Sequence, residues 1–286
     1  MADAPGVKDV RTRAARRGDA PVLSIAILAV FVAAALFGPM IPGLDPYRGT
    51  LSSALKPPLW LGGTLDHPFG TDQVGRDILA RLVYGARITV LIAISGVAAA
   101  GLFGTFVGLI SGYFGRWVDA VLMRITDATL AIPTLILGLA LATSLGPGIG
   151  NVVIVVTAIT WAFFARLVRG EVLTLKHRDY VTAARIAGYS SARILTRHIL
   201  PNLLAPILVM ATLQMGNTII LAASLSFLGL GVPEPFPEWG LMLATARDYL
   251  SFAPNLVILP AIALGLLVLA TNLVGDWLRD RFDPNM

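Results

Sequence analysis

Five stretches of this chain contain no charged residue: 20–44, 88–115, 128–165, 199–232 and 249–275. A helix needs about 20 apolar residues to cross the hydrocarbon core of a bilayer, and each stretch reaches that length. The third is 38 residues long and holds Gly146, Pro147, Gly148, Ile149, Gly150 and Asn151 near its middle, so it reads as two spans joined by a turn. The sequence therefore predicts six transmembrane helices and an all-α membrane protein. Backbone polar groups in lipid have no water to bond, which excludes open sheets. The alternating ten-residue segments of a β-barrel are absent.

Composition agrees with this. The chain is 56% hydrophobic and 14% charged, too apolar for an ordinary soluble domain. With the N-terminus inside, the inner segments hold 16 of the 22 Lys and Arg residues and the outer segments hold Arg48, Lys56, Arg76, Arg81, Arg87 and Arg247. That bias places both termini and the 166–198 loop in the cytoplasm. The net charge of +5 then follows from topology and calls for no nucleic-acid partner. The chain has no cysteine, which excludes disulfide, thiolate-metal and redox chemistry. The first apolar run is longer than a signal-peptide core and has no A-x-A site after it, so it reads as a retained span.

Along the chain, 1–20 reads as a basic cytoplasmic tail and 21–40 as the first span. An outer loop with an interfacial helix follows at 41–85, and 86–286 forms a five-helix core. The outer loop carries Pro42, Pro46, Pro57, Pro58 and Pro68 and no apolar period. Thr71 or Asp72 is expected to cap the interfacial helix, whose apolar face is Ile78, Leu79, Leu82 and Val83. Gly101, Gly104 and Gly108 permit close helix packing. Pro133 is expected to kink the third span. Arg124 and Asp127 are spaced for a local i,i+3 ion pair, with Asp119 nearby.

Catalysis finds no support. The three lysines, Lys8, Lys56 and Lys176, follow Val, Leu and Leu, so no Gly-Lys-Ser/Thr phosphate loop exists. His67, His177 and His198 do not fall at metal-ligand spacing. No cofactor or metal is expected in this chain, and any energy source must be a partner.

The segment YVTAARIAGYSSARILTRHILP (180–201) is basic and amphipathic and lies between two apolar runs. Residues 180–187 are expected to form a short helix along the membrane, ended by Gly188 with positive φ. Ser190 or Ser191 would cap a second helix over 192–199. Pro201 suits the first turn of the fifth span. Ala183 and Ala184 leave little side-chain bulk, so a partner's groove can approach the backbone. A lone interfacial helix held by anionic lipid is the plainer reading of such a loop.

The spacing of Ala183-Ala184, Gly188 and Leu200-Pro201 resembles the EAA loop of ABC-importer permeases. Thr182 stands where that family has Glu, and His198 where it has Ile. FGTDQVGRD (69–77), SLSFLGLGVPEPFPEWGLML (224–243) and LVGDWLRDRFDP (273–284) are similar to segments of the dipeptide, oligopeptide and nickel importer permeases. They match the C-type subunit of the heteromeric pair, and the four strings occur in family order.

The resemblance implies half of a transmembrane pore. A homologous B-type permease would complete it, two cytoplasmic ATPase domains would bind ATP and Mg, and an extracytoplasmic binding protein would deliver solute. Force would enter through Tyr180, Thr182, Ala183, Ala184, Gly188, Leu200 and Pro201. Gln214 and Asn217 lie deep in the fifth span and should face protein or a watery path. Pro133, Glu234 and Trp239 join them as pathway candidates, with Trp239 as an interface anchor. Glu234 and Glu238 are positioned to meet a substrate amine or to be solvated loop acids. Short peptides are the expected cargo, nickel or a metal chelate the alternative. An ion-coupled secondary carrier is the reading from another class, and it would expect ionisable residues near the midplane.

Overall fold

The structure, a computed structural model, describes residues 21–282. The 1–20 tail and the last residues of the C-terminal string lie outside the described residues. Its spine is a pair of helices, α2 (Ile78–Phe114) and α5 (Ile149–Leu175). Along α2, Gly104, Gly108 and Gly112 lie against Phe164, Val168 and Val172 of α5, so closely that a Cβ at any of them would overlap α5. Without a hydrophobic driving force in lipid, such close backbone contact is what holds two spans together. The stripe expected at 101–108 thus extends one turn further.

At 37 residues α2 is about 55 Å long, well beyond the membrane core. Its first three turns are the expected interfacial helix, fused to the span without a break. The cap differs from the expectation. Asp77 is the N-cap and accepts from the Ala80 N–H at 2.8 Å, because Thr71 and Asp72 have other work. Thr71 Oγ1 donates to the Ser53 carbonyl, and Asp72 receives the guanidinium of Arg76 at 2.6 Å.

Around the spine stand α1 (Val22–Phe37), α8 (Leu200–Phe227) and α10 (Asn255–Phe282). Five helical units are long and apolar enough to cross a membrane: α1 with its following turn, α2, α5, the run Ser191–Phe227, and α10. The sixth expected span is a broken pair, α3 (Arg116–Ala131) and α4 (Thr134–Leu145), bent by 96°. Pro133 is the N-cap of α4, so the expected kink is a full break. Being 12 residues long, α4 alone reaches only about 18 Å. α3 carries Asp119, Arg124 and Asp127. The expected Arg124–Asp127 pair does not form. Asp127 instead meets Arg166 of α5 at 2.5 Å, and Asp119 takes Arg169 through two hydrogen bonds of 2.9 and 2.6 Å.

The short helices α6 (Asp179–Ile186) and α7 (Ser191–Ile194) follow α5, and α9 (Trp239–Ala246) lies between α8 and α10. No strand occurs among the described residues. The 41–77 segment is tied instead by two isolated bridges, Gly49 with Arg76 and Thr71 with Asp77.

Candidate coupling loop and solute pathway

Residues 176–200 form a compact two-helix loop at the basic end of the bundle. α6 ends in a Schellman arrangement: the Gly188 N–H reaches the Arg185 carbonyl and the Tyr189 N–H the Ala184 carbonyl, both at 3.1 Å. Gly188 has φ +79°, as the turn requires. Ser190 caps α7, accepting from the Arg193 N–H at 3.4 Å.

Pro201 falls in the first turn of α8, as expected, although the helical run reaches back beyond it. The helix runs on from Ser191 through Phe227, and a π-helical turn over Leu195–Ile199 comes just before Pro201. Pro201 has no N–H for the Arg197 carbonyl, and the wider turn accommodates the missing bond without ending the helix. Asn202 Nδ2 supplies a further donor to the His198 carbonyl at 2.7 Å.

Val181 and Ala184 of α6, with Ile194, Ile199 and Leu203, pack against Val168 and Val172 of α5. The pair of alanines is therefore split. Ala184 is 6% exposed and belongs to the fold, which corrects the reading of both as outward. Ala183 and Thr182 remain exposed. Beside them Ile186 is 84% exposed, an isoleucine almost wholly in solvent on a helix whose other face is buried. The loop is held to the bundle by Lys176 Nζ on the Gly112 carbonyl at 2.9 Å and by Arg185 over the Tyr113 ring at 5.9 Å. These contacts tie α6 to α2, α5 and α8 together.

At the opposite end, Trp239 is 1% exposed. Its indole donates to the Leu82 carbonyl at 3.0 Å, its ring meets Phe31 edge-on, and Gly85 leaves room for it. It is a core residue there and neither an interface anchor nor a lining residue, because its flat side chain fills the junction of α1, α2 and α9. Glu238 is equally buried and caps α9, accepting from the Gly240 and Leu241 N–H groups at 2.9 and 2.8 Å. It is not a solvated or substrate-facing acid. Burial pushes its carboxyl above the usual carboxylate range, against the pull of those N–H groups. Glu234 is half exposed and lies 3.5 Å from Arg76. Arg76 and Arg81, counted from sequence as free outer charges, are buried around Asp72, and Arg81 Nη1 donates to the Pro46 carbonyl at 3.3 Å. This knot ties the 41–77 segment to α2. Its charged core is local, Asp72, Arg76 and Arg81 falling within ten residues, while Pro46 and Glu234 join it from distant segments.

In α8, Gln214 is buried and Asn217 exposed, and Asn217 Nδ2 donates to Gln214 Oε1 at 2.9 Å. Pro133 is exposed at the α3–α4 break. Sequence reasoning missed Asn272 of α10, an exposed carboxamide within a span. It lies against Gly216, where a Cβ would run into its Oδ1.

A bundle of crossing helices of membrane-spanning length, with an amphipathic loop at its basic end, defines a multi-pass membrane protein. Residues 104–286 match the family model described as the binding-protein-dependent transport system inner membrane component, and the chain belongs to that family. It is similar to the dipeptide transport system permease protein DppC of Alkalihalophilus pseudofirmus, 41% identical over 93% of this chain and 86% of that one. The di/tripeptide transport system permease protein DppC of Pseudomonas aeruginosa is 44% identical over 90% and 85%. The glutathione transport system permease protein GsiD of Escherichia coli is 46% identical over 79% and 74%. Among solved structures, the MetNI methionine ABC transporter matches with a TM-score of 0.56 at 18% identity, covering 70% of this chain and 94% of that chain. That likeness supports the ABC-importer permease fold for this multi-pass inner-membrane chain.

Proposed function

We propose that this chain is one half of the translocation pore of an ATP-driven importer of short peptides. A homologous permease subunit completes the pore, two ATPase domains bind ATP and Mg on the side of the 166–198 loop, and a binding protein delivers the peptide on the other side. Both termini are on the ATPase side. The chain itself performs no chemistry; it alternates between facing outward and inward as the ATPases close and open. The observation that carries the coupling half of this reading is the two-faced α6, anchored through Val181 and Ala184 and presenting Thr182, Ala183 and Ile186 outward. The peptide half is supported by the names of relatives more than 40% identical over nine-tenths of this chain.

The test is removal of the subunit from an amino-acid auxotroph. Growth on a di- or tripeptide as the only source of the required amino acid should be lost, while uptake of radioactive nickel should persist. Loss of nickel uptake with undisturbed growth on peptides would contradict the peptide assignment.

A further inference from the structure

Two carboxamides, Asn217 and Asn272, are exposed on membrane-spanning helices. Facing lipid would leave their donors and acceptors unpaired in hydrocarbon, so this face of the bundle meets something polar. Beside them is an open groove of about 630 Å³ between α4, α8, α9 and α10, lined by Leu135, Ile220, Phe227, Leu243, Val268 and Asn272 among others. Asn217, Ile220, Ser224 and Phe227 recur at helical spacing, so the floor of the groove continues directly to Asn217. On α10, Gly265, Val268 and Leu269 lead in the same way to Asn272. The contact of Asn272 with Gly216 sets both amides at one level of the bundle. Asn272 lines the apolar trough itself, and Asn217, held by Gln214, lies about one turn beyond Ile220 on α8.

The chemistry of this lining is selective. None of its side chains carries a charge, and it holds no His, Asp or Glu to ligate a metal. Asn217 spends one N–H on Gln214, which orients its Oδ1 and leaves the other N–H available. The Asn272 carboxamide, exposed on α10, is hydrogen-bonded to none of the described residues. Each amide therefore offers a donor and an acceptor together, the complement of a peptide bond. Apolar walls accept side chains of differing size without demanding any one of them.

Resting on the peptide-importer reading, we propose that this trough takes a peptide in transit and that Asn217 and Asn272 bind its main chain. Recognition is thus independent of the peptide's side chains. Gly216 is part of the site, because the space above it lets the Asn272 carboxamide lie beside Asn217.

The experiment uses the complete importer in proteoliposomes, with binding protein and ATP. Asn272→Leu should lower uptake of dipeptides with small, aromatic and charged side chains by a common factor of about tenfold. ATP hydrolysis stimulated by loaded binding protein should persist and report intact assembly. Gly216→Ala, which keeps both amides but displaces one, should show the same uniform loss. In a complex whose other subunits are cysteine-free, Asn272→Cys should react with a water-soluble thiol reagent, and transported peptide should slow that reaction. Reaction with membrane-partitioned reagents alone, cross-linking of Asn272→Cys to the partner permease, or a loss confined to one class of side chain would overturn the proposal. Peptide uptake indifferent to Asn272 overturns the proposal alone. A wild-type importer that takes up no peptide overturns the reading beneath it as well.

Discussion

The main-chain N–H of Tyr189 bonds to the carbonyl of Ala184 at 3.1 Å, across a glycine with φ +79°. This closure turns the chain from α6 to α7 and fixes the angle at which α6 lies against α5 and α8. Nothing lies within 4 Å of the position a Cβ would take at Gly188, so substitution there acts through backbone strain alone. Gly188→Ala is expected to cost about 1 kcal/mol and to retain measurable transport. Gly188→Val, β-branched at positive φ, costs about 1–3 kcal/mol and should abolish transport while the protein still inserts. Uptake assays on membranes with equal amounts of each variant check this.

Ile186 is an apolar side chain that no described residue covers. An isoleucine buried in a partner contributes about 1.5–3 kcal/mol, so Ile186→Glu should weaken association with the ATPase at least tenfold. Pairing with the second permease should be unaffected. Co-purification of each partner with the variant separates the two effects.

Trp239 tests the outer junction. Trp239→Phe removes the bond to the Leu82 carbonyl together with part of a buried ring and should cost about 1–3 kcal/mol. Trp239→Ala leaves a cavity between Phe31, Gly85 and α9 and should cost about 3–5 kcal/mol. Thermal unfolding in detergent measures both. The preference among peptides should be the same in the Phe variant as in the wild type.

Glu238 gives the protein a pH signature. Its folded pKa is raised by burial, so its contribution to stability is fully present below the unfolded value, about 4.3, and is lost as pH rises through the raised folded value. Unfolding temperature measured from mildly acidic to neutral pH should fall in the wild type, and Glu238→Gln should flatten that part of the slope.

The parts of this structure that were legible in the sequence are those set by local chemistry. Charge-free runs locate the spans because lipid imposes a length on each helix. Gly188 and Ser190 announce the coupling turn because positive φ and N-capping are properties of a few consecutive residues. Tertiary pairing was not legible. Arg166 and Asp127 are 39 residues apart and Trp239 and Leu82 are 157 apart, and no period or motif joins them. The same limit explains Ala184 and Ala183. Their smallness is visible in the sequence, but which one faces inward is decided by where Val168 and Val172 lie. Asn272 escaped notice because a single amide near the end of an apolar run has no distinguishing pattern until Gly216 is seen beneath it.

The central claim is that the chain works only as the membrane half of an ATP-driven machine. Proteoliposomes carrying the chain with its partner permease and ATPases should accumulate a radiolabelled dipeptide when ATP and the loaded binding protein are supplied, and should not when either is withheld. Proteoliposomes carrying the chain alone should accumulate none under any ion gradient. Gradient-driven uptake by the chain alone would contradict the account and make it a secondary carrier.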